Sequence, residues 1–291
     1  MKVSIVIPSY NQVDYIAETL DSIFNQTYPL DEIEVIVVDA CSDDGTLEVI
    51  RNHPLNLTLI SEIDQGQSDG INKGLRIAAG HVVTWLNSDD YYFEDTIERI
   101  VSVFIENSGV EVVSGAGINV DVDGELIAKH PAQAWSFNRM TERTSVCQPA
   151  TFFRKSALLK AGYLNIRLHY AMDYELFLRF AKNCKVKVVD EVLAANRVHS
   201  LAKTQKFKLQ SRIEVVVCSW YYRGQKWSWE ALSRLAYYHS KRICGGCDSS
   251  GRRYTMKIMI ILVYKVRIFL RMYPYFSSEM RGVAEALRED N

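Results

Sequence analysis

The sequence predicts an α/β protein built on an open, mainly parallel sheet flanked by helices. Short Val- and Ile-rich segments alternate with helical patterns through the first 90 residues. The apolar segments are nearly continuous, which is typical of strands buried on both faces. Polar side chains follow directly after them, where open parallel sheets bind ligands. The β-α-β-α order predicts right-handed crossovers between parallel strands.

The predicted elements follow one another at short intervals. Strands are expected at residues 3–7, 34–38, 57–61 and 81–86, because these runs are apolar and bounded by turn residues. Helices are expected at residues 15–24, 47–52 and 68–79. In the first of these, Ile16, Leu20 and Ile23 recur at helical spacing. A further strand is predicted at residues 186–189, after a helix that starts near Asp173.

Composition and charge divide the chain into two regions. Its 291 residues are 48% hydrophobic and 24% charged, with a net charge of −1, as in ordinary globular proteins without a nucleic-acid partner. Residues 1–202 carry 17 Lys+Arg and 28 Asp+Glu, whereas residues 203–291 carry 17 and 7. We therefore predict a first domain over residues 1–205 and a basic, aromatic helical region over residues 206–291 that meets an anionic surface.

The second region is expected to lie on a membrane rather than cross one. Within residues 254–273 the longest uncharged run, 258–264, is shorter than the about 20 apolar residues that a bilayer requires. Basic and aromatic residues occur together there, which favours peripheral contact with an anionic membrane. The alternative is packing on the core or on a second subunit of a homo-oligomer. The six cysteines form no disulfide framework and no signal peptide is evident, so we expect a cytoplasmic protein, at most peripheral on the inner face of the plasma membrane.

The segment Asn87-Ser88-Asp89-Asp90 carries the most specific chemical signal. It follows the apolar run 81–86, so two adjacent carboxylates lie at the end of a buried strand. Such carboxylates repel each other and lose solvation unless a cation lies between them. A divalent metal ion that neutralises phosphate oxygens would resolve this conflict. The alternative is a solvated turn, in which Asn, Ser and Asp are common.

Three other loops bring polar residues to the same predicted edge. Pro8-Ser9-Tyr10-Asn11 follows the first strand, Asp39 the second, and Asp64-Gln65-Gly66 the third. Four loops that converge at one edge indicate a ligand site.

These segments resemble the family 2 glycosyltransferases, which have the GT-A fold. The resemblance rests on residues 5–11, 37–46, 64–74 and 87–90, and it covers about residues 1–205. It implies a nucleotide-sugar donor, most often a UDP-sugar, a bound Mn²⁺ or Mg²⁺, and an inverting single displacement.

The resemblance also implies roles for individual residues. Asp39 is similar to the carboxylate that binds the base, Asp89 to one that meets the ribose or the metal, and Asp90 to the direct metal ligand. Ser88-Asp89-Asp90 is then the DxD-type element. The other residues expected to bind the donor are Pro8, Tyr10, Asn11, Asp64, Asp69, Lys73, Asn87, Ser88 and Lys203. For Asp69 and Lys73 the alternative is an i,i+4 surface ion pair.

A general base is also required, and Asp173 is the prediction. It stands at the start of a helix, where the dipole favours an ionised carboxylate, and it matches the family's base; Glu175 is the second choice. His199 is expected to bind the metal, with a packed bystander as the alternative, and Lys203 to neutralise phosphate. Together these residues predict transfer of one sugar to a glycan or lipid-linked saccharide in surface polysaccharide biosynthesis. The alternatives are a nucleotidyltransferase acting on sugar phosphates and an inactive sugar-nucleotide-binding scaffold.

Overall fold

The computed structural model describes residues 1–142, 146–200 and 202–223, and within them a nine-stranded mixed sheet lies between helices. The strands are β1 Val3–Ser9, β2 Ile33–Asp39, β3 Leu57–Ser61, β4 Val82–Trp85, β5 Tyr91–Tyr92, β6 Val112–Val120, β7 Leu126–His130, β8 Thr151–Arg154 and β9 Val186–Arg197. The α-helices are α1 Ile16–Phe24, α2 Thr46–Asn52, α3 Gln67–Ile77, α4 Thr96–Glu106, α5 Phe137–Met140, α6 Lys155–Ala161, α7 Met172–Asn183, α8 Lys203–Lys206 and α9 Lys208–Tyr222.

The first half of the sheet is parallel, in the order β3-β2-β1-β4. Val3 pairs with Ile33 and Ser9 with Asp39, so β1 and β2 end at the same level. The predicted α/β class is therefore confirmed, and the loops after these strands meet at one edge of the sheet.

The second half is mixed and brings a late strand back to that edge. β8 pairs antiparallel with β4 and β6, while β9 runs parallel to β6. β9 extends to Arg197, well beyond the predicted end at residue 189. Near its end, β9 also pairs with β5 in the antiparallel direction, with Ala195 opposite Tyr91. The residues that follow β9 consequently lie beside the loop that precedes β5.

Two hydrophobic cores lie on opposite faces of the sheet because side chains alternate along each strand. Ile5 and Ile7 of β1 face the core that contains α1 and α4 residues, whereas Val6 faces the core shared by α3, α7 and α9. Trp85 stacks on Phe177 of α7, with ring centroids 6.0 Å apart. This stacking fixes α7 against the end of β4, next to residues 87–90, which form the acidic loop.

Helix α3 approaches β1 so closely that residue 74 has no room for a side chain. A Cβ at Gly74 would lie 2.4 Å from Cγ1 of Val6, which is buried and conformationally stiff. We expect Gly74→Ala to lower the free energy of unfolding by about 1–3 kcal/mol through overpacking, as measured by urea denaturation. Gly109→Ala is the control, since its Cβ would meet only the Lys185 Nζ at 3.9 Å. Equal stabilities of the two variants would contradict this close packing.

The described part of the second predicted region packs into the core of the first. Ile213, Val216 and Val217 of α9 are buried in the same cluster as Phe177 of α7. The division after residue 205 stays a prediction, but α9 packs in the hydrophobic core of residues 1–205. The segment expected to contact a membrane, 254–273, lies outside the described residues. Among the helices that the structure describes, none combines the length and apolar character needed to cross a bilayer.

Candidate active site

A cleft of about 980 Å³ opens at the carboxyl edge of the parallel strands. Its wall is formed by the loops after β1, β3 and β4, by the start of α7 and by residues that follow β9. The predicted site residues that line it are Pro8, Tyr10, Asp64, Asn87, Ser88, Asp89, Asp173 and Lys203. The cleft thus brings together side chains that are up to 195 positions apart in the sequence.

Asp89 and His199 form a pair at this edge. The Asp89 Oδ2 lies 2.9 Å from the His199 Nε2. His199 is buried against the Tyr15 ring, with centroids 4.8 Å apart. Its Nδ1 is buried without a hydrogen-bond partner within the described ranges. The structure therefore places His199 beside one of the two predicted aspartates.

Asp90 points away from that pair into the protein. Its Oδ1 accepts a hydrogen bond from the backbone N–H of Arg197 at 2.9 Å, and its Oδ2 accepts one from the Asn87 side chain at 3.0 Å. Only 1% of Asp90 is exposed. Burial, with the nearby charge of Asp89, raises the pKa of the Asp90 carboxyl well above its usual value. In this geometry Asp90 joins β9 to the acidic loop.

Arg197 reinforces the same connection from the end of β9. Its guanidinium donates to the Asp89 carbonyl oxygen at 3.2 Å and to the Val122 carbonyl oxygen at 2.8 Å, and it forms an ion pair with Glu18. Because its side chain is 3% exposed, these contacts satisfy a buried charge. Arg197 thus fixes the backbone that presents Asp89.

The loops after β1 and β2 are joined to each other. Asn11, in the left-handed region at φ 51°, donates to the Asp43 Oδ1 at 3.0 Å and accepts from the Asp43 N–H at 3.1 Å. Asp39 is fully buried and accepts from the Ser42 N–H at 2.8 Å and the Ser42 Oγ at 2.5 Å. Neither Asn11 nor Asp39 lines the cleft, and the expected donor contacts of both stay predictions.

Asp64 in the loop after β3 and the nearby residues of α3 have different surroundings. Asp64 lines the cleft and accepts a hydrogen bond from the Gly66 N–H at 2.8 Å. Lys73 forms ion pairs with Glu62 at 2.9 Å and with Asp69 at 3.4 Å. The i,i+4 pair that was the alternative for Asp69 and Lys73 is therefore present, and their donor contacts stay predictions.

A short amide chain fixes Asn87, the first residue of the acidic loop. Its Oδ1 accepts from the Gln67 side chain at 2.9 Å, and its Nδ2 donates to the Gln148 Oε1 at 3.2 Å. Gln148 in turn donates to the Trp85 carbonyl oxygen at 2.8 Å. Neither glutamine was assigned a role from the sequence, because amide side chains carry no pattern that marks such a contact.

Asp173 also lines the cleft, from the start of α7. Its Oδ1 accepts the Tyr174 N–H at 2.7 Å. Desolvation in the cleft raises the pKa of its carboxyl to about 6, and the negative charge of Glu214 contributes to the rise. At pH 7 the group is thus mostly ionised, with a proton affinity suited to a general base.

Glu175, the second choice for the base, forms hydrogen bonds away from the cleft. Its two oxygens bind Arg179, at 2.9 and 2.7 Å, and its Oε1 also accepts from the Tyr222 hydroxyl. It is buried and absent from the cleft wall. Glu175 therefore joins α7 to the end of α9, and Asp173 is the carboxylate of this helix that faces the cleft.

Lys203 supplies a cation to the same wall as Asp173. Its Nζ lies 5.4 Å from the centroid of the Tyr170 ring. Burial lowers the pKa of its ammonium group, while Glu214 and Asp64 act in the opposite direction. A partly desolvated cation in a cleft is suited to phosphate, since the interaction strengthens as solvent is excluded.

The donors that the described residues offer fit a divalent cation. They contain no cluster of three or more His, Cys, Asp or Glu side chains placed to bind a metal. The facing Asp89 Oδ2 and His199 Nε2 instead offer one oxygen and one imidazole nitrogen. Such a partial set suits a cation that takes its remaining ligands from phosphate and water. The imidazole favours Mn²⁺ over Mg²⁺, because Mg²⁺ prefers oxygen ligands.

Comparisons with known proteins identify the family of the chain. The model of the family described as "Glycosyl transferase family 2" matches residues 4–163. The chain belongs to glycosyl transferase family 2. The match ends before Asp173, so it does not include the cleft residues from His169 onward.

The relatives of this family 2 chain include much longer proteins. A hyaluronan synthase of Pasteurella multocida is 30% identical over 225 residues, which cover 74% of this chain and 22% of that protein. TarS of Staphylococcus aureus strain Mu50, a poly(ribitol-phosphate) beta-N-acetylglucosaminyltransferase, is 35% identical over 124 residues, covering 41% of this chain and 22% of TarS. The chain thus spans about a fifth of the length of these relatives.

Solved structures confirm the fold of the chain. TarS residues 1–349 in complex with UDP-GlcNAc align with a TM-score of 0.64 at 20% identity, covering all of this chain and 93% of the other. A mannosyltransferase from Pyrobaculum calidifontis, in complex with GDP-Man and Mn²⁺, aligns at 0.58 and 18% identity, with coverages of 100% and 88%.

Proposed function

We propose that this family 2 member transfers one sugar from a UDP-sugar to a glycan or lipid-linked saccharide, with inversion and with a divalent metal ion. The observation that carries the proposal is the cleft itself. Asp89, which faces His199, and Asp173 both line it. Sugar transfer requires one group at the leaving diphosphate and one at the attacking hydroxyl, and we assign these roles to Asp89 and Asp173.

The reaction is a single displacement. A hydroxyl oxygen of the acceptor forms a bond to the anomeric carbon, and the bond from that carbon to the diphosphate breaks with its electron pair on the leaving oxygen. The hydroxyl proton passes to the Asp173 carboxylate, whose pKa of about 6 leaves it ionised at neutral pH. Lys203 also lines the cleft and can neutralise phosphate.

Asp89 and His199 are the proposed ligands of Mn²⁺ or Mg²⁺. When bound, the cation supplies Lewis-acid stabilisation of the charge on the departing diphosphate. A direct bond from Asp90 stays a prediction, because the buried Asp90 carboxylate would have to exchange its contact with Arg197 or Asn87. The present geometry favours Asp90 as the residue that orders the acidic loop.

The relatives support the class of donor and acceptor. One relative is named for the synthesis of hyaluronan and TarS for N-acetylglucosamine transfer to poly(ribitol-phosphate), and one structural neighbour holds UDP-GlcNAc. A surface polysaccharide intermediate is therefore the proposed acceptor. The family match favours sugar transfer over nucleotidyl transfer, and the cleft-facing Asp173 favours an active enzyme over a binding scaffold.

Thermal unfolding with a panel of nucleotide sugars tests the donor. UDP-GlcNAc, UDP-glucose, UDP-glucuronate and GDP-mannose are each added with Mn²⁺ or with EDTA. We expect a UDP-sugar at a hundredfold excess over its Kd to add about 2.7 kcal/mol, and only with Mn²⁺. At this chain length that corresponds to a rise in Tm of roughly 4–5 °C. Free N-acetylglucosamine is the control. A rise with GDP-mannose alone would reject the uridine assignment.

A further inference from the structure

A glutamate of α9 binds the backbone directly in front of the proposed base. The Glu214 Oε1 accepts the His169 N–H at 3.0 Å, and its Oε2 accepts the N–H groups of Tyr170 at 2.7 Å and Ala171 at 2.8 Å. Glu214 itself is buried. One carboxylate therefore satisfies three consecutive amides, two positions before Asp173.

These contacts replace a cap that the sequence does not provide. Ala171 occupies the N-cap position of α7, and no side chain there caps the helix. Helices begin with N–H groups that lack intrahelical partners, and an uncapped start frays. Glu214 binds the N–H of Ala171 as the glutamate of a capping box does, but it does so from another helix.

Helix α3 fixes the other end of the same loop. The Ser68 Oγ donates to the Leu168 carbonyl oxygen at 3.0 Å, and the side chain of Asn72 exchanges two hydrogen bonds with the backbone of Leu164, at 2.7 and 3.0 Å. The loop that leads into α7 is thus bound by α3 at one end and by α9 at the other.

We propose that Glu214 is a positioning residue for sugar transfer. By fixing residues 169–171, it sets the position of Asp173 and of the His169 and Tyr170 side chains in the cleft wall. The inference rests on the proposed function, in which Asp173 is the base. It also makes α9, which follows the family-model match, part of the catalytic machinery.

The charge of Glu214 adds a second effect that a purely structural residue would not have. Desolvation is the main cause of the raised pKa of Asp173, and the negative charge of Glu214 raises this pKa further. Other acidic and basic side chains that line the cleft are Asp64, Asp89, His130, His169, Arg197, Lys203 and Arg212, and the buried Cys218 thiol of α9 also interacts with the charge of Asp173. Removal of the Glu214 charge therefore lowers the pKa of Asp173 and extends activity to lower pH, even while the base is held less well.

Steady-state kinetics of Glu214→Gln test the proposal. UDP release from UDP-GlcNAc is followed with Mn²⁺, with water as the acceptor, from pH 4.5 to 8.5. We expect kcat on the plateau to fall at least tenfold, KM for UDP-GlcNAc to stay within twofold, and the acid limb to move to lower pH. Glu111→Gln is the matched control, because Glu111 also accepts a backbone N–H, from Lys185 at 2.8 Å, but that amide does not belong to the segment that precedes Asp173. It should leave kcat and the limb unchanged.

A kcat within twofold of the wild type, with the limb unmoved, would overturn the inference. If Glu214→Gln does not fold, Glu214→Asp takes its place. Asp keeps the charge but is one methylene shorter, so kcat should fall with the limb in place, and an unchanged kcat would overturn the inference. Asp173→Asn is measured in parallel. Full activity of that variant would reject the proposed base, whereas its inactivity beside a normal Glu214 variant would reject only the role of Glu214.

Discussion

Asp173→Asn is expected to lower kcat by roughly 10²–10⁴-fold, the usual contribution of a positioned general base. Asparagine has nearly the same shape, and its oxygen can still accept the Tyr174 N–H. Donor binding should therefore persist, with KM for the UDP-sugar within about twofold. The measurement is nucleoside diphosphate release under saturating donor, together with the donor-induced rise in Tm.

The pH dependence of the wild-type enzyme should follow the same carboxyl. Because the pKa of Asp173 is raised to about 6, activity should fall as the pH drops through 6 and the base becomes protonated. The variant should lose this limb.

The sign of the effect on stability is opposite to that on activity. A folded pKa above the unfolded value means that ionised Asp173 costs stability at pH 7, and that this cost vanishes below about pH 4, where both states are protonated. Asp173→Asn should thus unfold at the same or a higher temperature at pH 7. The control is Asp95→Asn, which removes an exposed ion pair with Arg99 on α4. Loss of activity in both variants would contradict the assignment of the base.

The second large effect is expected from the metal pair. Asp89→Asn and His199→Ala should each reduce kcat/KM by at least about 100-fold and weaken Mn²⁺ binding, which electron paramagnetic resonance of free Mn²⁺ measures directly. Because the two ligands act on one cation, the double variant should lose little more than either single variant.

His81→Ala is the matched control for the histidine, since His81 is exposed and lies outside the cleft wall. Mn²⁺ binding and activity should be unchanged in this variant. Undiminished, EDTA-resistant transfer by the double variant would rule out metal dependence through this pair.

Much of the sheet could be predicted from the sequence because its signals are local. The strands at 3–7 and 34–38 are nearly continuous apolar runs, and the structure extends them to Val3–Ser9 and Ile33–Asp39. The cleft followed from the rule that parallel strands present their carboxyl ends at one edge. Asp89 lies in the loop after β4 and Asp173 at the start of α7, and both line that cleft.

What could not be predicted depends on contacts between distant residues. The sequence treats Asp89 and Asp90 alike, yet only the pairing of β5 with β9 turns Asp90 inward. The role of Glu214 depends on how α9 packs, and a single glutamate in an amphipathic helix carries no signal for it. Asp39 accepts from Ser42 and Lys73 pairs with Glu62, and the donor contacts expected for both stay predictions.

The length of β9 determines which side chains reach the acidic loop. The strand starts beside β6 at Val186 and delivers Arg197 and then His199 to the acidic loop. Two irregularities in its pairing with β6, around Ala116, have already adjusted which way the later side chains face. One residue more or fewer after that point would invert every subsequent side chain. The number of residues between the irregularities in β9 and His199 is therefore as tightly constrained as the identity of His199 itself.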